Sequence, residues 1–208
     1  MGKTTTVGDV EFERYIQSAF RIQTADTVVY IDPHRIDSGP AADLVLVTHE
    51  HFDHMDPNAI NAVDTAETVV IAGERAAGEL SGRVSATVVP IREGEAVTQK
   101  GVEVRAVPGY NSHHPRGFNL GYVLRLGGQT IYHAGDTGYV PEMTELGPID
   151  VALLPIGGTY TMNEQEAAEA VRAIRPRTVI PMHYGYATGG DPQRFASLVG
   201  SECLVVIL

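Results

Sequence analysis

Cysteine is nearly absent from this 208-residue chain, where Cys203 stands alone. One cysteine forms neither an internal disulfide nor a thiolate-rich metal site. That suits a reducing cytoplasm, and the apolar run ECLVVIL around Cys203 predicts a buried small hydrophobe. Long apolar runs are missing as well. None approaches the about 20 residues of a membrane span, and the opening MGKTTTVGDVEFERY has no apolar signal core. The expectation is a cytoplasmic protein with no membrane partner. Basic clusters are also lacking. The formal net charge is −11, and the densest cationic group, Arg172, Arg175 and Arg177, falls at the end of an expected helix, where cations complement the helix dipole. A nucleic-acid binder usually shows a basic face, so the expected partner is a small molecule rather than a nucleic acid polymer. Repeats and low-complexity tracts are absent. With 43% hydrophobic and 20% charged residues, the chain can build a core, and one domain over residues 1–208 is expected.

What the chain does have is a series of short apolar runs at 27–31, 44–48, 68–72, 151–156 and 178–182. Runs of this length suit strands covered on both faces. Over 101–107, Val102, Val104 and Ala106 alternate with Glu103 and Arg105, which predicts a half-exposed strand. The glycine pair at 127–128 predicts a hairpin. Asp56-Pro57 and Asp191-Pro192 each read as an N-cap followed by proline at the first helical position, and Gly200 stops the second helix. Asn163 can cap a third helix whose Ala167, Ala170, Val171 and Ile174 share one stripe. Strands alternating with helices, plus hairpins, predict an α/β fold with mixed sheets.

Ligand-type side chains gather where these strands end. THEHFDHMD at 48–56 follows LVLV, HAGD follows TIY and MHYG follows VIP. In open α/β sheets that edge is where ligands bind. Residues two apart on an extended stretch point the same way, so His49 and His51 can share one metal. Asp53 and His54 lie further on and can hold a second. Imidazole and carboxylate suit zinc, and also iron or manganese. Further donors must come from elsewhere, and the candidates are His113, His114, Asp136 and His183. An aspartate can bridge two metals, which together activate water between them.

The pattern H-x-H-x-D-H after an apolar strand, with a later Asp and a final His, resembles the metallo-β-lactamase superfamily. DP at 32–33, THEHFDHMD, YHAGDT at 132–137, PIGGTYTM at 155–162 and PMHYG at 181–185 are similar to one branch, the compact metal-dependent hydrolases related to L-ascorbate-6-phosphate lactonase. The resemblance spans nearly the whole chain. It implies an αβ/βα four-layer sandwich of two mixed β-sheets with a dinuclear site at one edge, and a homo-oligomer. It also implies that His49 and His51 ligate the first metal, Asp53, His54 and His183 the second, and that Asp136 bridges. The usual third histidine of the first site is displaced: PGYN stands there, followed by SHHPRG. His114 is the match, with His113 as the alternative. Many relatives also carry a Gly-His pair on the first hairpin, where this chain reads YIQSAFRI.

Around that set, Asp32 reads either as a support for a ligand histidine or as a turn former. His133 reads as a buried structural histidine or a similar support. Tyr160 and Tyr184 are candidates to meet a developing oxyanion or simply to pack. Arg116 is a candidate to meet an anionic substrate or to stay solvated. Gly157 and Gly158 form a turn or a close approach to the site, and His34 is not a ligand. The resulting expectation is a hydrolase with two divalent ions, zinc first and Mn2+ or Fe2+ next. A metal-bridging hydroxide, held by Asp53 and Asp136, attacks an ester, lactone or related bond. The alternatives are a phosphodiesterase or nucleotide hydrolase, and a metal-binding sensor without turnover. Within the superfamily, the lone Cys203 disfavours the cysteine-type β-lactamases, and 208 residues leave no room for an inserted RNA-processing domain.

Overall fold

The computed structural model describes residues 2–208. The first half of the chain builds one sheet and the second half another, on the same plan. In the first, β1 (Lys3–Val7), β2 (Val10–Arg14), β3 (Phe20–Gln23) and β4 (Val28–Ile31) form an antiparallel meander. Then β5 (Leu44–Val47), β6 (Val69–Gly73) and β7 (Thr87–Ile91) add in parallel. In the second, β8 (Ala96–Gln99), β9 (Val102–Gly109), β10 (Asn119–Leu126) and β11 (Gln129–His133) are antiparallel. Parallel strands β12 (Val151–Pro155), β13 (Thr178–Met182) and β14 (Leu204–Val205) complete it. Both seven-stranded sheets run in sequence order. Parallel additions need crossovers; α1 (Pro57–Asn61), α2 (Glu74–Leu80), α3 (Glu164–Ile174) and α4 (Pro192–Val199) supply four of the six, and the β4–β5 and β11–β12 crossovers have no α-helix.

Side-chain alternation sorts the layers. Leu44 and Leu46 of β5 join Ile22, Ile31, Tyr122 and Leu124 in a core between the sheets. Val45 and Val47 face the other way, onto Ile60 of α1 and Ala76 and Leu80 of α2. Ala167, Val171 and Phe195 of α3 and α4 cover the second sheet. The result is the four-layer αβ/βα sandwich. The expected caps are in place. Asp56 accepts from the backbone N–H groups of Asn58 and Ala59, and Asp191 from that of Gln193. Asn163 and Glu166 form a reciprocal capping box on α3. The glycine pair turns β10 into β11, with Leu126 opposite Gln129.

Two expectations need correction. The sequence reading had no helix at 74–80, because its N-cap is Gly73, which makes no side-chain cap bond. Cys203 is half-buried rather than buried. The run it belongs to forms only the two-residue β14 at a sheet edge, and Leu204 is exposed. No helix among the described residues is long and apolar enough to cross a membrane.

Candidate metal centre

Topology aims five segments at one place. The loop after β5 leaves from the parallel end of the first sheet. In the second sheet, β9, β11 and β13 all run the same way, since β9 and β11 are both antiparallel to β10 and β11 to β13 are parallel. Their C-terminal ends carry His114, Asp136 and His183. The fifth segment, between β2 and β3, carries Gln17.

Local bonds fix each donor. Asp32 ends β4 in a left-handed conformation (φ 47°) and is fully buried. Its carboxylate accepts from the backbone N–H of Thr48 at 2.8 Å, the Thr48 hydroxyl at 2.7 Å and Nδ1 of His54 at 2.7 Å. A proton held on Nδ1 leaves the Nε2 lone pair of His54 facing the site. Thr48 Oγ1 lies 3.0 Å from Nδ1 of His49 and orients that ring likewise. Asn111 stands where the family resemblance predicts a histidine and instead builds a turn. Its Oδ1 accepts from the N–H groups of His113 and His114 at 2.8 and 2.9 Å. His114 is thereby turned inward and buried, while His113 stays exposed. Gly135 (φ 61°) allows the sharp turn before Asp136, whose N–H donates to Asn119 Oδ1 at 3.0 Å. His183 is left-handed (φ 54°) and donates from its backbone to the carbonyl of Gln17 at 2.9 Å. Gly157 packs so closely that a Cβ there would come within 2.6 Å of the His183 carbonyl. This is the close approach anticipated for the glycine pair.

The donor atoms fall into overlapping groups: His49, His51 and His114; Asp53, His54 and His183; and His49, His54 and Asp136. His51 Nδ1 lies 3.0 Å from His49 Nε2 and 3.3 Å from His114 Nε2. Donors around a tetrahedral zinc at about 2.0–2.1 Å stand roughly 3.4 Å apart, so the spacing fits a shared ion. Asp136 joins the groups. Its Oδ1 lies 3.3 Å from His54 Nε2, and its Oδ2 lies 3.2 Å from His183 Nε2 and 3.8 Å from His114 Nε2. Asp53 Oδ2 is 3.8 Å from His54 and 3.9 Å from His183. Two of these atoms, His54 Nε2 and Asp136 Oδ1, are buried without a hydrogen-bond partner. Buried polar atoms are rarely left so, and a cation between them would satisfy both.

Electrostatics agree with ligation. Burial, then the charge of His54, holds the His49 imidazole well below its usual range. Burial brings that of His114 to about 4. Both are therefore neutral at pH 7, as ligation requires. Burial opposes a charge on His54 too, yet the carboxylates of Asp136 and Asp32 outweigh it and hold its pKa well above the usual range, so a metal at Nε2 would have to displace a proton from that atom. Burial alone would raise the carboxyl of Asp136; His54 and His183 reverse the sign and keep it ionised.

Three sequence candidates lie elsewhere. Arg116 does not reach the centre. Its guanidinium bonds Glu93 at 2.6 Å and Glu142 at 2.7 Å and lies over the Tyr110 ring. Tyr184 donates its hydroxyl to the Leu208 carbonyl at 2.7 Å, and its ring packs under Arg14. His133 is buried between the Ser18 carbonyl (2.9 Å) and the Gly135 N–H (3.2 Å), so its ring nitrogens bond the backbone rather than a ligand side chain. His34 belongs to none of the donor groups. Tyr160 remains on the cleft over the centre, a space of about 410 Å³ also lined by Gln17, Phe52 and Thr188. Gln17 is the residue that sequence reasoning missed. It is fully buried, with Nε2 3.3 Å from Asp53 Oδ2 and 3.2 Å from His183 Nε2. The only signal was its place in YIQSAFRI, where the family resemblance predicts a Gly-His pair.

A two-sheet sandwich with histidines and aspartates converging at one sheet edge defines a metallohydrolase class, and comparison with known proteins agrees. The family model described as the beta-lactamase superfamily domain matches residues 13–183. A UPF0173 metal-dependent hydrolase of Thermococcus kodakarensis is 42% identical over 177 residues, covering 80% of this chain and 79% of the relative. One from Pyrococcus furiosus is 38% identical, covering 100% and 96%. Among solved structures, a protein of Parabacteroides distasonis described as a metal-dependent hydrolase matches with a TM-score of 0.88 at 30% identity, covering 100% and 97%. A metallo hydrolase of Ignicoccus hospitalis matches with a TM-score of 0.82 at 27% identity, covering 96% and 94%. The chain belongs to the β-lactamase superfamily and, within it, to the UPF0173 metal-dependent hydrolases.

Proposed function

We propose that the centre holds two divalent metals and hydrolyses an ester, lactone or related acyl bond of a small molecule. One observation carries this reading: a donor group of His49, His54 and the buried carboxylate of Asp136 takes one histidine from each of the other two groups, and Asp136 Oδ1 and His54 Nε2 have no hydrogen-bond partner. His49, His51 and His114 would hold one ion, and Asp53, His54 and His183 the other. Zinc leads by donor chemistry, with Mn2+ and Fe2+ next. When bound, the metals supply a strongly acidified water and polarise the group under attack. The chain does the rest. Asp32 and Thr48 hold the His54 and His49 rings so that each offers Nε2. Gln17 donates to Asp53 and fixes that carboxylate at the cleft floor. Asp53 is less buried than Asp136, so it is the carboxylate placed to orient the attacking water and receive its proton. Tyr160 lines the cleft and is placed to meet charge growing on the acyl oxygen.

The test is metal content by mass spectrometry on protein purified without chelators, with Asp136→Ala beside it, followed by a panel of lactone, aryl ester and bis-aryl phosphate. The expected result is about two ions per chain, a sharp fall in the variant, and turnover of lactone or ester. At most one ion after reconstitution with zinc, manganese or iron would sink the dinuclear reading. Full loading with no turnover would point to a sensor, and preference for the phosphate to a phosphodiesterase.

A further inference from the structure

Apart from the metals it is proposed to hold, the cleft over the centre offers no fixed cation. Neither lysine nor arginine lines it, whereas Phe52, Tyr160 and Ala187 do. The arginines nearby in the chain have other partners. Arg116 pairs with Glu93 and Glu142, Arg75 with Glu50, and Arg14 with the carbonyls of Leu208 and Tyr184. The chain as a whole carries −11, so the surrounding field also repels anions.

Two aromatics flank that space without a place in the core. Phe52 lies between the ligand-type residues His51 and Asp53 and is 71% exposed. It belongs to neither apolar cluster and stands edge-on to the buried His34 ring, with the centroids 6.0 Å apart. Tyr160 is 49% exposed. Its backbone carbonyl accepts from Asn111 Nδ2 at 2.8 Å, and its ring stands edge-on to His113 at 5.2 Å. A single exposed aromatic is ordinary. Two of them lining one cleft over a metal centre make an apolar recognition surface, since a large apolar side chain that stays wet contributes nothing to folding and gains by covering a ligand.

We infer that the cleft selects an uncharged acyl compound, an ester or lactone whose apolar, preferably aromatic, part lies against Phe52 and Tyr160, rather than the anionic substrate for which Arg116 was a candidate partner. The inference rests on the hydrolase reading for the reaction but on the cleft alone for the preference. In the reaction, water adds to the acyl carbon and the acyl C–O bond breaks. The leaving alcohol oxygen takes one proton, and the acid product releases the other.

The test is calorimetric binding of N-phenylbutanamide and of its 4-sulfonated analogue to the zinc-loaded protein. The amide resists hydrolysis, and a sulfonate is a poor zinc ligand. The expected result is at least about tenfold tighter binding of the neutral compound, and a loss of about tenfold in Phe52→Ala with metal content unchanged. Equal or tighter binding of the sulfonate, no binding of the neutral compound, or an unaltered affinity in Phe52→Ala would overturn the inference. Phenyl butanoate hydrolysis is followed in parallel. Selective binding without hydrolysis would uphold the cleft preference and remove the hydrolase reading.

Discussion

Asp32 shows how one side chain decides whether a histidine is a ligand. Its carboxylate can only accept, so His54 must keep a proton on Nδ1, and Nε2 is the atom left for a metal to take. In Asp32→Asn the amide can turn a donor toward Nδ1, which would move the proton onto the atom that faces the metal. The volume is conserved and Thr48 keeps an acceptor, so the fold should persist. Metal affinity is expected to fall ten- to a hundredfold, read by competition with a chromophoric chelator; unchanged affinity would show that His54 is oriented by packing alone. Cys203 gives a pH-dependent counterpart away from the centre. Burial, with help from Glu202, raises its thiol to about 11. The thiolate is the nucleophile, so the folded protein should be alkylated slowly at pH 8 and faster by about tenfold per pH unit up to pH 11. Equal rates in folded and urea-unfolded chain at pH 8 would contradict this. At this scale, legibility followed side-chain type. THEHFDH announced itself because its donors are consecutive and chemically unmistakable. Gln17 did not, because glutamine is not a usual metal ligand and acts here through Asp53 and His183. Arg116 and Tyr184 lie near the ligands in sequence yet point elsewhere, since Glu93, Glu142 and Leu208, all distant in sequence, claim them.

Among the elements, the helix starts carry different duties. Asn163 caps α3 on the far side of the second sheet, and its capping box stabilises that helix alone. Asp56 caps α1 two residues after His54, and its Oδ2 also accepts from the backbone of Arg35 at 3.2 Å. It therefore fixes where the ligand loop ends. Asn163→Ala and Asp56→Ala should each cost about 1 kcal/mol in urea unfolding. Only Asp56→Ala should also weaken metal binding, because the freed first turn lets Asp53 and His54 drift. Equal metal affinity in the two variants would show that the loop is held by Asp32 and Thr48 without α1. These caps were readable because Asp-Pro and the Asn-Glu spacing are local signals. The short α2 was not: Gly73 leaves no capping side chain and tertiary contacts hold the helix in place. The buried strands β4, β5, β6, β12 and β13 were likewise legible from apolar runs, whereas β1, β2, β3, β7 and β8 were not, being short and interrupted by polar or exposed residues. Which strands became neighbours was not, since pairing such as β4 with β5 is decided by crossovers and twist that no run of residues encodes.

For the whole molecule, the centre is a clasp between two sheets. His49, His51, Asp53 and His54 come from the first sheet, and His114, Asp136 and His183 from the second. A metal held by both stabilises the folded chain over an unfolded one that cannot gather the same donors. At a free-ion concentration a thousand times the dissociation constant this amounts to about 4 kcal/mol. Chelation should therefore lower the melting temperature by several degrees, and Asp136→Ala should erase most of the difference between loaded and stripped protein. Hydrogen exchange would show where the clasp acts. Amides at 48–56, 110–118, 134–137 and 183–188 should lose protection on stripping. The interiors of β5, β6, β12 and β13 should not, because the core between the sheets closes over Leu44, Leu46, Ile71 and Leu153 whether or not metal is bound. Uniform deprotection across both sheets would mean instead that the sandwich depends on its metal to fold. The centre would then be a structural requirement of the chain as well as its reactive edge.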